Sequence, residues 1–372
     1  MKAAICYELG KPLVVEDGVI CDPPGTGEVK VKVVATAVCR SDIHALEGLF
    51  PGQVPGVAGH ETAGYVEEVG EGVTRVKPGD PVCVIAGTVG CGFCANCLAG
   101  HRMMCMNRSR PTPHQHTKDG KDISPFAGPV AGFAEYTTVA EYQLVKLPDD
   151  MPVDVASVLS CAVITGFGSV LTAGVGLFKS VAVLGTGAVG LNAIQGSAYC
   201  GAHPVIAVDT QEQRLEAARQ FGATTTINPT KVDDIVEVVK EATGGNGADF
   251  VFVTVTTSND EVLRQAVEMS SRMGVIIRIA VGGRMGPPDP NAPPPDIEWT
   301  RGLAGMGASR RVQFTMMGSS NIIVDIPHYV ALYKAGRLKL DELINKRYPL
   351  DQINEAIEYM SSGKAIRTLV MM

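Results

Sequence analysis

Cysteine 39 and histidine 60 are the first residues of this chain whose types suggest chemistry. Cys39 opens the run Cys39-Arg40-Ser41-Asp42-Ile43-His44, and His60 stands in Gly59-His60-Glu61 beyond a loop rich in Gly and Pro. A thiolate and an imidazole are soft-to-borderline donors that suit zinc. Asp42 and Glu61 lie beside them as carboxylates able to orient such ligands and tune the metal. Catalytic zinc takes three protein ligands and keeps one position open, so the pair needs a third donor from elsewhere. One Cys and one His taken alone also fit an ordinary packed core.

A second group is denser. Cys91-x2-Cys94-x2-Cys97-x7-Cys105 places four thiols on a loop rich in Gly, Asn and Met. Four thiolates close a tetrahedral zinc site with no open position, which makes it structural. An iron–sulfur cluster is the rival, because the first three cysteines also match a ferredoxin run. Here the fourth comes late, and Met106 rather than Pro follows it. Cys6, Cys21, Cys83 and Cys200 show no ligand spacing and read as small buried hydrophobes.

The third feature is Gly185-Thr186-Gly187-Ala188-Val189-Gly190, after the apolar run Val181–Leu184 and before a helical stretch to about Tyr199. The run Val205–Val208 then ends at Asp209. Strand, glycine turn, helix and a second strand ending in an acid form a dinucleotide-binding pattern. The glycines let the backbone approach a pyrophosphate, which meets the helix N-terminus. An Asp at the strand tip can accept bonds from both ribose hydroxyls and repels a 2′-phosphate, so NAD is expected rather than NADP.

These features need a scaffold, and 372 residues exceed one compact core, so two domains are expected. Hydrophobic residues make up 45% and charged ones 19%, which fits a packed globular protein. A net charge of -7 without Lys/Arg runs argues against nucleic acid. No apolar run reaches membrane-span length, and the start lacks a signal-peptide core, so a cytoplasmic protein without disulfides is expected.

From Lys2 to about Leu147, short alternating runs such as Glu28–Val33 predict an irregular antiparallel β domain. Further strand-like runs span 64–69, 80–86 and 133–147. Beyond Leu147 the pattern alternates between strands and helices. Helices are expected at 211–221, 231–242 and 260–272, with strands at 225–227, 249–255, 275–281 and 312–316. That is a doubly wound parallel sheet. Gly286 to Pro295 is too rich in proline for helix or central strand, and predicts a stiff surface loop. The tail from Asp325 carries two amphipathic helix patterns.

Taken together, these motifs resemble the zinc-dependent medium-chain alcohol dehydrogenases, in their liver-type branch, over nearly the whole chain. The resemblance implies a GroES-like β domain at 1–162 and 317–372, and a Rossmann NAD-binding domain at 163–316. It makes Cys39, His60 and Cys161 the catalytic-zinc ligands, and Cys91, Cys94, Cys97 and Cys105 a structural zinc site: two Zn per chain. The residues alone would have left Cys161 a small buried thiol. Ser41 and His44 match the pair that passes the substrate proton to solvent, with Asp42 and Glu61 beside them. Coenzyme contacts are implied for Arg40, Thr165 and Arg367, and for Gly185, Gly187, Val189, Gly190, Asp209 and Arg214 around the glycine turn.

The implied reaction interconverts an alcohol and its aldehyde or ketone. Zinc lets a bound hydroxyl lose its proton near neutral pH, and the resulting alkoxide carbon gives hydride to NAD. Gly87 stands four residues before Cys91, where the family commonly places an aromatic wall. With Phe50 and Met316 as remaining apolar lining, a void there would favour a bulky, aromatic or allylic primary alcohol. Two alternatives are a glutathione-type thiol-adduct formaldehyde dehydrogenase and a catalytically silent dinucleotide-binding protein. A homodimer or homotetramer is implied, although the proline-rich loop stands where the family has a shorter segment leading to its dimer contact.

Overall fold

The computed structural model describes the chain apart from residues 51, 88–89, 108–112, 127, 256–258, 280–302 and 306–307, and at 304–305 the backbone alone. The proline-rich stretch therefore lies outside the described residues. The remainder divides into two units, Met1–Cys161 with Asn321–Met372, and Ala162–Ser320.

In the first unit the alternating run at Glu28 forms a ten-residue strand, Glu28–Ala37. Val29, Val31 and Val33 point inward and are buried. This strand pairs antiparallel with Glu61–Val69, with Tyr136–Ala140, and with Arg367–Met371 from the tail. Glu61–Val69 pairs in turn with Pro81–Ile85, which pairs with Leu144–Lys146. Val66, Val82, Val84, Val139 and Leu144 close a compact apolar layer with Val29 and Val31. Each such side chain contributes roughly 1.5–3 kcal/mol on burial. That layer fixes the first residue of the Glu61–Val69 strand, directly after His60.

Differences from the expected strands have local causes. The 133–147 run is broken by a 3-10 turn at Glu141–Gln143, because the Gln143 side chain accepts from the Ala140 N–H and caps the turn. Cys6 and Cys83 are buried as expected, but Cys21 and Cys200 are partly exposed, at a strand end and a helix end.

The second unit is a six-stranded, wholly parallel sheet in the order Thr225–Ile227, Val205–Val208, Val181–Leu184, Ala248–Val253, Ser270–Arg278, Arg311–Phe314. Helices Ala188–Tyr199, Glu212–Gln220, Ile235–Ala242 and Asp260–Glu268 connect the strands. The helix expected at 231–242 starts later because Asp234 caps it, accepting from the Val236 and Glu237 N–H groups. The helix expected to reach 272 stops at Glu268, and the strand expected at 275 begins at Ser270. There the Ser270 hydroxyl satisfies the Val267 carbonyl at 2.7 Å, ending the helix, and a register shift absorbs the extra residues before Val275. Among the described residues no single helix is long and apolar enough to cross a membrane.

Candidate active site and metal centres

Cys39 is the N-cap of the helix Arg40–Leu46, so the start of that helix sets where its sulfur sits. The cap is reciprocal: the Cys39 N–H donates to Asp42 Oδ2 at 3.1 Å. The other Asp42 oxygen accepts from the Gly59 N–H at 3.1 Å and lies 2.8 Å from His60 Nδ1. One buried carboxylate thus ties the cysteine-bearing helix to the histidine-bearing loop. With Nδ1–H given to Asp42, the imidazole turns Nε2 toward the cysteine, as zinc-ligating histidines do.

Cys161 completes the group. Donor atoms of Cys39, His60, Glu61 and Cys161 all lie within 4.8 Å of one another. A hydrogen bond with Cys161, helped against burial by Arg367 and His60, holds the Cys39 thiol well below its ordinary range. Cys161, as the partner in that bond and buried, is pushed well above its own. Burial alone would lower the His60 imidazole, but the Asp42 carboxylate and Cys39 raise it well above the ordinary value. Two thiols sharing a proton beside an imidazole form a donor set that a divalent cation would deprotonate on binding. Two sulfurs and one nitrogen fit a catalytic zinc that keeps a position open.

The carboxylate anchor has a measurable consequence. Asp42→Asn keeps the side-chain shape but weakens its hold on His60 and on the Cys39 cap. Zinc affinity at this site is expected to fall about 10–100-fold, read by competition with a chromogenic chelator. Unchanged affinity would mean that Asp42 does not orient the ligands.

Glu61 and Arg367 form a buried pair beside the candidate metal ligands. The guanidinium donates from Nε to Glu61 Oε2 at 3.0 Å and from Nη2 to Oε1 at 2.6 Å. It also approaches Cys39 Sγ to 3.6 Å. Burial raises the Glu61 carboxyl above its ordinary range, and Arg367 pulls it the other way. Arg367 is only 3% exposed, so in this structure it is the counterion of Glu61 and Cys39 rather than an open contact for a pyrophosphate. Sequence reasoning missed this pairing altogether.

The Ser41 hydroxyl lies 3.2 Å from Cys39 Sγ and 3.4 Å from His60 Nε2, against the candidate metal ligands. His44 pairs its Nδ1 with Glu47 Oε2 at 3.3 Å and sets its ring edge-on to Phe50. Met316 belongs to the other unit and is 40% exposed. At Gly87 the enlarged-pocket argument needs correction. A Cβ there would meet Met103 Sδ at 2.5 Å, so a methionine from the cysteine-rich lobe fills the space the missing side chain leaves. Met103 is flexible and apolar, well suited to filling irregular gaps. Nothing in the local sequence at Gly87 signals it.

The four-cysteine cluster is also assembled, with its donor atoms within 4.8 Å of one another. Backbone amides serve the sulfurs: the Cys91 N–H donates to Cys105 Sγ at 3.2 Å and the Asn107 N–H to the same sulfur at 3.3 Å. Backbone bonds from Phe93 and Cys94 bring the Cys91 thiol down to about 6, while burial and neighbouring sulfurs push Cys97 up to about 11. A loop that solvates sulfur with its own N–H groups is prepared for thiolates, and all four sulfurs suit a closed zinc site. Cys83, by contrast, sits 3.5 Å from Ser160 Oγ, and burial pushes its thiol up to about 12. It is an inert core residue. Cys97→Ser is expected to lower the thermal midpoint markedly while leaving coenzyme affinity nearly unchanged, because metal binding here is folding free energy. A loss confined to coenzyme binding would contradict that assignment.

In the second unit the glycine turn has the required shape. Gly185 has φ +92°, and a Cβ at Gly190 would stand 1.9 Å from the Gly185 carbonyl oxygen, so strand and helix pack too closely for a side chain. Gly187 is the N-cap of Ala188–Tyr199, has no side-chain cap, and opens onto free space. Its helix N–H groups remain available to an anion. Asp209 ends its strand nine-tenths buried, and the Nε of nearby Arg214 has no partner. Arg40 Nε in the first unit is likewise unpaired. Thr165 is buried near the start of the helix Ala162–Ala173, and Val189 is half-buried in the first turn after Gly187. Within this unit, the unpartnered Arg214 Nε and the uncapped helix start fit a dinucleotide.

A GroES-like β unit with a histidine–dithiol centre, followed by a Rossmann unit, defines a zinc-type dehydrogenase. Residues 25–149 match the family described as "Alcohol dehydrogenase GroES-like domain", and residues 188–322 match "Zinc-binding dehydrogenase". An NDMA-dependent alcohol dehydrogenase of Amycolatopsis methanolica is 33% identical, over 100% of this chain and 98% of that protein. An S-(hydroxymethyl)glutathione dehydrogenase of Candida maltosa is 37% identical, over 99% and 96% respectively. The crystal structure of benzyl alcohol dehydrogenase from Acinetobacter calcoaceticus matches with TM-score 0.87 at 30% identity, covering 100% of this chain and 99% of that one. The chain belongs to the zinc-dependent medium-chain alcohol dehydrogenase family.

Proposed function

We propose that this chain is an NAD-dependent dehydrogenase that interconverts alcohols with aldehydes or ketones, using zinc held by Cys39, His60 and Cys161. The observation that carries it is the Asp42 carboxylate, which binds the Cys39 backbone and His60 together so that two sulfurs and one nitrogen converge. When bound, zinc supplies Lewis acidity that eases loss of the hydroxyl proton. The chain's own residues do the rest. Asp42 fixes the imidazole tautomer, and the Glu61–Arg367 pair balances charge behind the thiolates. Ser41 Oγ, against both ligand side chains, can take up and pass on the proton. His44 then carries it outward, which requires its ring to turn from Glu47.

A ring-bearing substrate is supported by the benzyl alcohol dehydrogenase likeness and no longer by a void at Gly87. The glutathione-adduct reading is supported by the Candida maltosa relative, and an NDMA-coupled reaction by the NDMA-dependent one. A panel of ethanol, benzyl alcohol and S-(hydroxymethyl)glutathione, each with added NAD and separately with NDMA, distinguishes them. The expected result is NADH formation with kcat/KM higher for benzyl alcohol than for ethanol. Turnover with NDMA alone would favour retained coenzyme, and no turnover of any alcohol would refute the proposal.

A further inference from the structure

We propose that Thr186 sets coenzyme choice by locking the Asp209 carboxylate, an inference that rests on the NAD reading above. Thr186 is fully buried in the glycine turn between the strand Val181–Leu184 and the helix Ala188–Tyr199. Its backbone N–H and its hydroxyl both donate to Asp209 Oδ2, at 2.8 and 3.1 Å. The Gln211 N–H donates to Oδ1 at 2.9 Å. A carboxylate offers about four acceptor positions. Thr186 fills both on Oδ2 and Gln211 fills one on Oδ1, which leaves a single position for a sugar hydroxyl. The two-hydroxyl grip expected of a strand-tip Asp is therefore not available here.

The lock also has an electrostatic consequence. Arg214 Nη1 stands 3.8 Å from Oδ2, and its Nε has no partner. A carboxylate free to turn could close on this guanidinium, and its charge would then no longer oppose a 2′-phosphate. Turning costs both Thr186 bonds, so the negative charge stays in place and the discrimination against NADP stays with it. Any residue but proline supplies the N–H at this position. The hydroxyl is what threonine adds.

Calorimetric titration of NAD and of NADP into the zinc-loaded protein tests this, in the natural chain and in Thr186→Val, Thr186→Ala and Thr186→Ser. Losing one hydrogen bond to a charged acceptor is worth about tenfold. Thr186→Val and Thr186→Ala are expected to raise the Kd for NAD about tenfold and to leave that for NADP nearly unchanged. The NADP-to-NAD Kd ratio then falls about tenfold, and Thr186→Ser restores it. Equal weakening of both coenzymes, or a serine variant that folds with unchanged Tm yet keeps the altered ratio, overturns the proposal and makes Thr186 merely structural. A natural chain that binds NADP more tightly, or binds neither, overturns the NAD reading itself.

Discussion

Cys161→Ala is expected to reduce alcohol turnover on the order of 10³-fold, equivalent to about 4 kcal/mol of lost transition-state stabilisation. It is also expected to remove one zinc of two per chain. The reasoning is ligand arithmetic: with Cys161 gone, only Cys39 and His60 remain as the sulfur and nitrogen donors of that group, beside a Glu61 already committed to Arg367. Two ligands do not hold catalytic zinc against dilution. The four-cysteine lobe shares no residue with this group and keeps its metal. Kinetics and elemental analysis on the same preparation check both halves. Full activity with two zincs retained would remove Cys161 from the site.

Arg367→Gln carries the largest expected stability effect. Its guanidinium and the Glu61 carboxylate are 3% and 0% exposed, with a closest approach of 2.6 Å. Breaking such a pair from one side leaves an uncompensated buried acid and costs roughly 3–5 kcal/mol. Replacing both partners, Glu61→Gln with Arg367→Gln, leaves no buried charge and is expected to recover most of that loss. Denaturant midpoints of the two variants decide it. Equal destabilisation of single and double variants would show that packing rather than charge is responsible.

Local pattern accounts for much of what could be read in advance. The alternation at Glu28–Ala37, the spacing of the four cysteines and the strand–glycine–helix sequence at Val181–Tyr199 are all encoded within short windows. Helix ends were less legible, because a single side chain such as Asp234 decides where a helix starts. Long-range partners left no local trace. Glu61 and Arg367 are 306 residues apart in sequence, and nothing near either predicts the other. Cys161 lies in an apolar run where a thiol looks like any small core residue, so only the family pattern singled it out. Met103 filling the space at Gly87 is a packing fact between loops, and periodicity carries no information about it.

Zinc K-edge absorption on the purified protein tests the central claim most directly. Two zincs per chain are predicted, half the signal from an all-sulfur shell and half from a shell of two sulfurs, one imidazole nitrogen and a lighter fourth neighbour. Only an all-sulfur shell, at one zinc per chain, would contradict a metal centre at Cys39, His60 and Cys161.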